Sequence, residues 1–163
     1  MIFKQTLCRP IPNKPFVAGL LAVAFVALPL AAKAAGCPAG KEGVRPADNT
    51  PASGVTDTVI ASIDLAHEPA AIKDRLFRMR KLVIEPGGVV PWHSHHDRPA
   101  IIYVISGRVE EYASTCTVPI VHEPGDVTME THATSHWWKN TGAVPVVLLS
   151  ADLLPVKDNP HTM

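Results

Sequence analysis

The chain has 163 residues, 47% of them apolar and 18% charged, and its 15 basic and 15 acidic residues cancel to a formal net charge of zero. That is one domain's worth of sequence with enough apolar side chains for a packed core. It excludes a chain too polar to fold and a nucleic-acid binder held by basic charge.

Residues 1–34 read as a secretory signal. Lys4, Arg9 and Lys14 precede a wholly apolar run over 16–32, and Ala32-Lys33-Ala34 is a small-x-small exit. Seventeen apolar residues sit at the bottom of the range that spans a bilayer, so a retained anchor is the weaker reading. Removing 1–34 takes four basic residues and no acid, leaving 11 basic and 15 acidic groups, net −4. The expectation is an exported protein, periplasmic or extracellular, with a small-molecule ligand, no nucleic acid and no remaining membrane span.

Export changes the reading of the cysteines. Cys37 and Cys116 form an even pair for an oxidising compartment, and a bridge between them would contribute roughly 4 kcal/mol on the loop-entropy model. Ala34-Ala35-Gly36-Cys37 also resembles a bacterial lipoprotein processing site, although Ala34 stands where Leu, Val or Ile is usual. A lipid anchor on Cys37 and two free thiols therefore stay open beside the disulfide.

Residues 35–57 are rich in Pro, Gly and small polar residues and are expected to form a flexible arm. From Thr58 to the C-terminus, short apolar runs alternate with turn signals at Pro86-Gly87-Gly88, Ser106-Gly107, Glu123-Pro124-Gly125-Asp126 and Asn140-Thr141-Gly142. The runs cover 58–65, 76–84, 89–96, 100–105, 108–112, 117–121, 127–130, 136–139 and 144–154. Only 66–75 suits a brief helix. This pattern predicts an all-β domain over 58–163, a sandwich or barrel.

Six of the eight histidines, His93, His95, His96, His122, His132 and His136, fall within 44 residues. Side chains two apart on a strand share a face, so His93 and His95 can converge while His96 turns away. With one more imidazole they could meet a divalent ion at about 2.0–2.1 Å per nitrogen. His-x-His alone is also compatible with a polar surface tract.

The spacing around these histidines resembles the two motifs of the cupin family. Gly87, His93, His95, Ala100 and Gly107 fit the first motif, with Ala100 where Glu is usual. Gly125, Thr131, Ala133, His136 and Asn140 fit the second, with Thr131 for the usual Pro and Ala133 for the usual Gly. The resemblance covers about 76–154 and implies a single jelly-roll barrel, or double-stranded β-helix, with His93, His95 and His136 pointing inward to a divalent metal. Iron leads, with manganese, zinc or nickel as alternatives.

Three neutral histidines leave a divalent ion near +2, whereas a glutamate at position 100 would lower it to about +1, so the site should favour anionic ligands. The three-histidine pattern is similar to that of thiol and diketone-cleaving dioxygenases of the superfamily. The resemblance thus implies a dioxygenase-like enzyme acting on a small anionic or chelating substrate, with a non-catalytic binding protein as the other reading. It also makes a homodimer an expectation.

Asp97, Glu85, Glu111 and Glu130 are candidate acids to replace the missing Glu. Trp138 shares parity with His136 and suits the pocket wall, while Trp137 and Trp92 should face the other way. Ala100, His132, Arg98 and Tyr103 are further pocket candidates, although an ordinary loop role for His132, core packing for Tyr103 and a solvated role for Arg98 are the stronger readings. Arg98 and Arg108 are the arginines suited to a carboxylate, and His67 and His122 read as surface residues. No nucleophile elbow, phosphate loop, dinucleotide fingerprint or zincin motif is present.

Overall fold

The computed structural model describes residues 36–158. The expected signal segment lies outside them. Among the described residues there are eight strands: β1 (Ser53–Asp64), β2 (Arg75–Ser94), β3 (Ala100–Ser106), β4 (Val109–Ala113), β5 (Ile120–His122), β6 (Val127–Glu130), β7 (Ser135–Lys139) and β8 (Val146–Pro155). The expected brief helix at 66–75 reduces to one 3-10 turn, Leu65–His67, whose first free amide, that of Ala66, is capped by the Asp64 carboxylate at 3.0 Å.

Period-two patterning explains the strands. In β3, Ala100, Ile102 and Val104 are buried while Ile101, Tyr103 and Ile105 are exposed. In β8 the inward set is Val146, Leu148, Ser150, Asp152 and Leu154. Such alternation fixes register, because a one-residue slip would turn every inward side chain to water.

All strand pairings are antiparallel, in the order β5-β4-β7-β2-β8-β3-β6, with β1 added on β2. Strand β2 belongs to both layers of the curled sheet. Residues 75–84 lie between β1 and β8, with Ile84 opposite Val146, and residues 89–94 pair with β7, with His93 opposite His136.

The two apolar runs at 76–84 and 89–96 are therefore one strand, and Pro86-Gly87-Gly88 is a bend within it rather than a turn between strands. Gly87 has φ 78°, and a Cβ on Gly88 would lie 2.8 Å from the carbonyl oxygens of both Glu85 and Gly54. Asn140 clamps this bend. Its Nδ2 donates to Ile84 O at 2.9 Å and to Val144 O at 2.8 Å, and its backbone exchanges hydrogen bonds with Gly87 and Gly88.

Between the layers, Leu82, Ile84, Val90, Ile102, Val109, Trp138, Val146 and Leu148 form the main core. The expected arm boundary at 57/58 falls inside β1, which starts at Ser53. Nor is the arm a free tether. Cys37 and Cys116 are joined with an S–S distance of 2.07 Å, Glu42 bridges to Cys116, and Gly43 N donates to Thr115 O at 3.0 Å. Those bonds lay 37–45 along the loop between β4 and β5.

Candidate metal centre

Antiparallel pairing of β2 with β7 sets His93 directly opposite His136. His95 lies one residue beyond the end of β2, and its amide donates to Thr134 O at 2.9 Å, which holds it against the loop before β7. The three rings converge. Their Nε2 atoms are 3.1 Å apart for His93 and His95, 3.0 Å for His95 and His136, and 3.1 Å for His136 and His93.

Each Nδ1 has its own acceptor. His93 Nδ1 lies 2.9 Å from Pro91 O, His95 Nδ1 2.8 Å from Arg98 O and His136 Nδ1 2.7 Å from Glu111 Oε1. A proton on every Nδ1 satisfies all three acceptors and leaves three Nε2 lone pairs facing one another. That arrangement is repulsive unless a proton or a cation occupies the centre, and a divalent ion with bonds of about 2.0–2.1 Å matches the donors. The residues therefore fit a divalent metal. Trp138 Nε1–H lies 3.1 Å from His136 Nδ1 and could serve it only in the other tautomer, so metal at Nε2 selects the bond to Glu111.

Electrostatics support neutral imidazoles here. Burial first, then the neighbouring His136, pushes His95 down to about 4 and holds His93 well below the usual imidazole range. Behind His136 runs a buried network. Glu111 Oε2 accepts from His122 Nε2 at 2.8 Å, and His122 stacks on Trp138 with centroids 4.7 Å apart. Burial pushes Glu111 up, but hydrogen bonds from His122 and His136 overcome it and bring the carboxyl down to about 2. Glu130 lies 3.6 Å from His136 Nδ1 and accepts from Thr128 at 2.8 Å, and burial followed by the charge on Glu111 raises it.

Glu111 is thus the acid that engages a candidate ligand, through Nδ1 of His136 rather than at the centre itself. His122, read from sequence as a surface residue, is fully buried. Strand alternation in 109–113 could have marked Glu111 as inward; its partner His122 is reachable only through the β4–β5 pairing.

The cavity beside the three imidazoles measures about 20 Å³ and is walled by Leu82, Val90, Ile102, Trp138 and Leu148, with Arg80 and Ser150 as its other polar residues. Ala100 is buried with inward parity but lies outside this lining, between Glu130 and Asp152 on the flanking strands. Arg98 is buried, offers its carbonyl to His95 and has its guanidinium 3.8 Å from Asp152, so it does not line the cavity.

Tyr103 is corrected from pocket candidate to outward residue, 42% exposed on β3. His132 is exposed in the loop after β6 and does not line the cavity, and His96 is exposed as parity requires. Asp97 pairs with Arg75 at 2.6 Å, Glu85 is exposed, and Arg108 meets Glu110 at 3.4 Å. Trp137 stacks on Tyr112 at 4.0 Å, on the face opposite Trp138.

A bent antiparallel double-stranded β-helix with three inward histidines defines the class of protein. Residues 80–152 match the family model described as the cupin domain, and this part of the chain has the cupin fold. Among solved structures, it is similar to a predicted oxalate decarboxylase from Thermotoga maritima at 21% identity, covering 61% of this chain and 80% of that one, with a TM-score of 0.51. It is also similar to an uncharacterized conserved protein with a double-stranded β-helix domain from Klebsiella pneumoniae at 19% identity, covering 71% and 86%, with a TM-score of 0.51. At these identities the likeness concerns the fold. No curated protein matches the sequence.

Proposed function

We propose that this chain is an exported metalloprotein in which His93, His95 and His136 hold a divalent ion, iron first, for the oxidation of a small anionic or chelating compound by dioxygen. The observation that carries this reading is the approach of three Nε2 atoms to within 3.0–3.1 Å, each ring fixed through its Nδ1. Bound Fe(II) would supply Lewis acidity and one-electron chemistry toward dioxygen; manganese, zinc and nickel suit the same donors. The protein's own residues set the tautomers, exclude bulk water through Leu82, Val90, Ile102 and Trp138, and keep His136 oriented through Glu111.

The Cys37–Cys116 pairing supports an oxidising compartment, periplasmic or extracellular. It also argues against lipid on Cys37, and the intact mass of the exported protein decides between them. Among the described residues no helix is long and apolar enough to cross a membrane. A homodimer is part of the proposal, formed through the outward Phe77, Ile101, Tyr103, Ile105 and Met129.

Metal analysis of protein purified anaerobically, followed by oxygen uptake with thiols, diketones and phenolic acids, tests the reading. Iron with ligand-dependent uptake supports it. One observation favours the second reading, a binding protein without turnover: among the described residues no carboxylate lines the cavity to act as acid or base. Metal retention without uptake for any ligand would select that reading.

A further inference from the structure

Three groups crowd the outer nitrogen of His136. Glu111 Oε1 lies 2.7 Å from its Nδ1, Trp138 Nε1 3.1 Å and Glu130 Oε2 3.6 Å. The choice between the first two fixes the tautomer. A bond donated to Glu111 puts the proton on Nδ1 and bares Nε2 for a metal, whereas a bond accepted from Trp138 puts the proton on Nε2 and closes that position. The ring alone does not decide between them; its partners do.

His122 touches both competitors. On β4, Glu111 stands opposite Ile120 of β5 on one side and Trp138 of β7 on the other. His122 and His136 lie two residues away along those strands, on the same inward face, so the carboxylate bridges their rings. Its Oε2 accepts from His122 Nε2 at 2.8 Å, which leaves Oε1 aimed at His136. The same imidazole lies flat on Trp138, with ring planes 12° apart. His122 does not line the cavity, so it reaches the centre only through these neighbours. It is fully buried, yet its Nδ1 has no partner. A buried nitrogen left unserved is a cost that an apolar side chain at this strand position would avoid, and the bond made by the other nitrogen is what the ring offers in return.

We propose that His122 is a positioning residue for the metal centre: by donating Nε2–H to Glu111 and packing on Trp138, it holds His136 in the tautomer that offers Nε2 to a metal. This inference rests on the metal reading above. It adds the residue that prepares one ligand before the ion arrives.

The test uses the full exported protein with zinc. Affinity is measured by competition with a chelator, and the His136 Nδ1–H proton is followed by nuclear magnetic resonance of the zinc-loaded protein. His122→Phe keeps a flat ring for Trp138 but has no donor. It should lose zinc affinity about 10-fold, with the Nδ1–H signal moved upfield or lost to exchange. His122→Gln places an amide N–H near the position of the lost Nε2, and should bring affinity back to within about 3-fold of the parent and restore the signal. In a Glu111→Gln background, His122→Phe should change affinity by less than about 2-fold, because the route through the carboxylate is already cut. His122→Asn, whose amide stops short of Glu111, carries the first prediction if His122→Phe does not fold.

Unchanged affinity with an unmoved Nδ1–H signal in a folded His122→Phe overturns the proposal and leaves the metal reading standing. So does the same result in His122→Asn when His122→Phe fails to fold. A loss that persists undiminished in the Glu111→Gln background, or that His122→Gln does not rescue, makes His122 a packing residue and overturns the proposal equally. Failure of the parent protein to take up zinc overturns the metal reading, and this one with it.

Discussion

The two halves of β2 lie in the same interior and treat buried polarity in opposite ways. The first half carries Arg78 and Arg80 into a cluster with Asp57 and Asp152, where Arg78 Nε and Nη2 meet Asp152 at 2.9 and 2.6 Å. The second half, with β7, carries His93 and His136, whose outer nitrogens are bonded and whose inner nitrogens face each other. In one region the protein supplies most of its own counter-charges. In the other it aligns lone pairs and supplies no proton to separate them. Buried polar groups that are almost fully paired indicate structure; those left facing a common point indicate a guest.

The largest expected effect breaks the self-compensated half. Asp152→Ala would remove the counter-charge that Arg78, Arg80 and Arg98 share and should cost about 3–5 kcal/mol in urea unfolding, because both side chains of the Arg78–Asp152 pair are fully buried. The converse substitution, His136→Ala, should reduce bound metal from stoichiometric to a small fraction while the far-ultraviolet spectrum stays that of a β protein. Full retention of metal would contradict the role given to His136.

A smaller effect is expected behind the ligand. Glu111→Gln keeps the shape but weakens the acceptor for His136 Nδ1 and His122, and should lower metal affinity about 10- to 100-fold in a competition titration.

The pH dependence of the metal-free protein sharpens the contrast further. A histidine whose folded value lies below its unfolded 6.5 favours folding above pH 6.5 and loses that contribution as pH falls toward the folded value. His95, at about 4, should therefore cost about 2 kcal/mol between pH 6.5 and 5, with His93 acting in the same direction. Urea midpoints at the two pH values measure it. Glu111, at about 2, adds nothing in that window, since its contribution is lost only below about 4.5.

Ala100→Glu, which the missing motif glutamate suggests, should have the least clear-cut benefit. The new carboxylate would stand between Glu130 and Asp152 on the neighbouring strands, so any gain in metal affinity would be opposed by a loss of stability. Thermal unfolding with and without metal separates the two effects.

Much of the fold was legible because strands announce themselves locally. The alternation in 100–105 and the glycines at 107 and 125 place their elements without reference to the rest of the chain. Gly107 shows why: its φ is 80°, and a Cβ would fall 2.8 Å from Pro145 O. The bend at Gly87-Gly88 has the local sequence of a turn, since glycine pairs serve both and only the pairing of one strand with two layers distinguishes them.

The sequence by itself determined the inward parity of His93 and His136, the position of their strands and the class of chemistry three imidazoles invite, because each follows from spacing along one strand. Tertiary structure decided the rest. Glu111 reaches His136 across the β4–β7 pairing, His122 is buried against Trp138, and Arg80 enters the same cavity from the opposite layer. These are meetings between residues far apart in the chain, and no local periodicity records which face of one strand will look at which face of another.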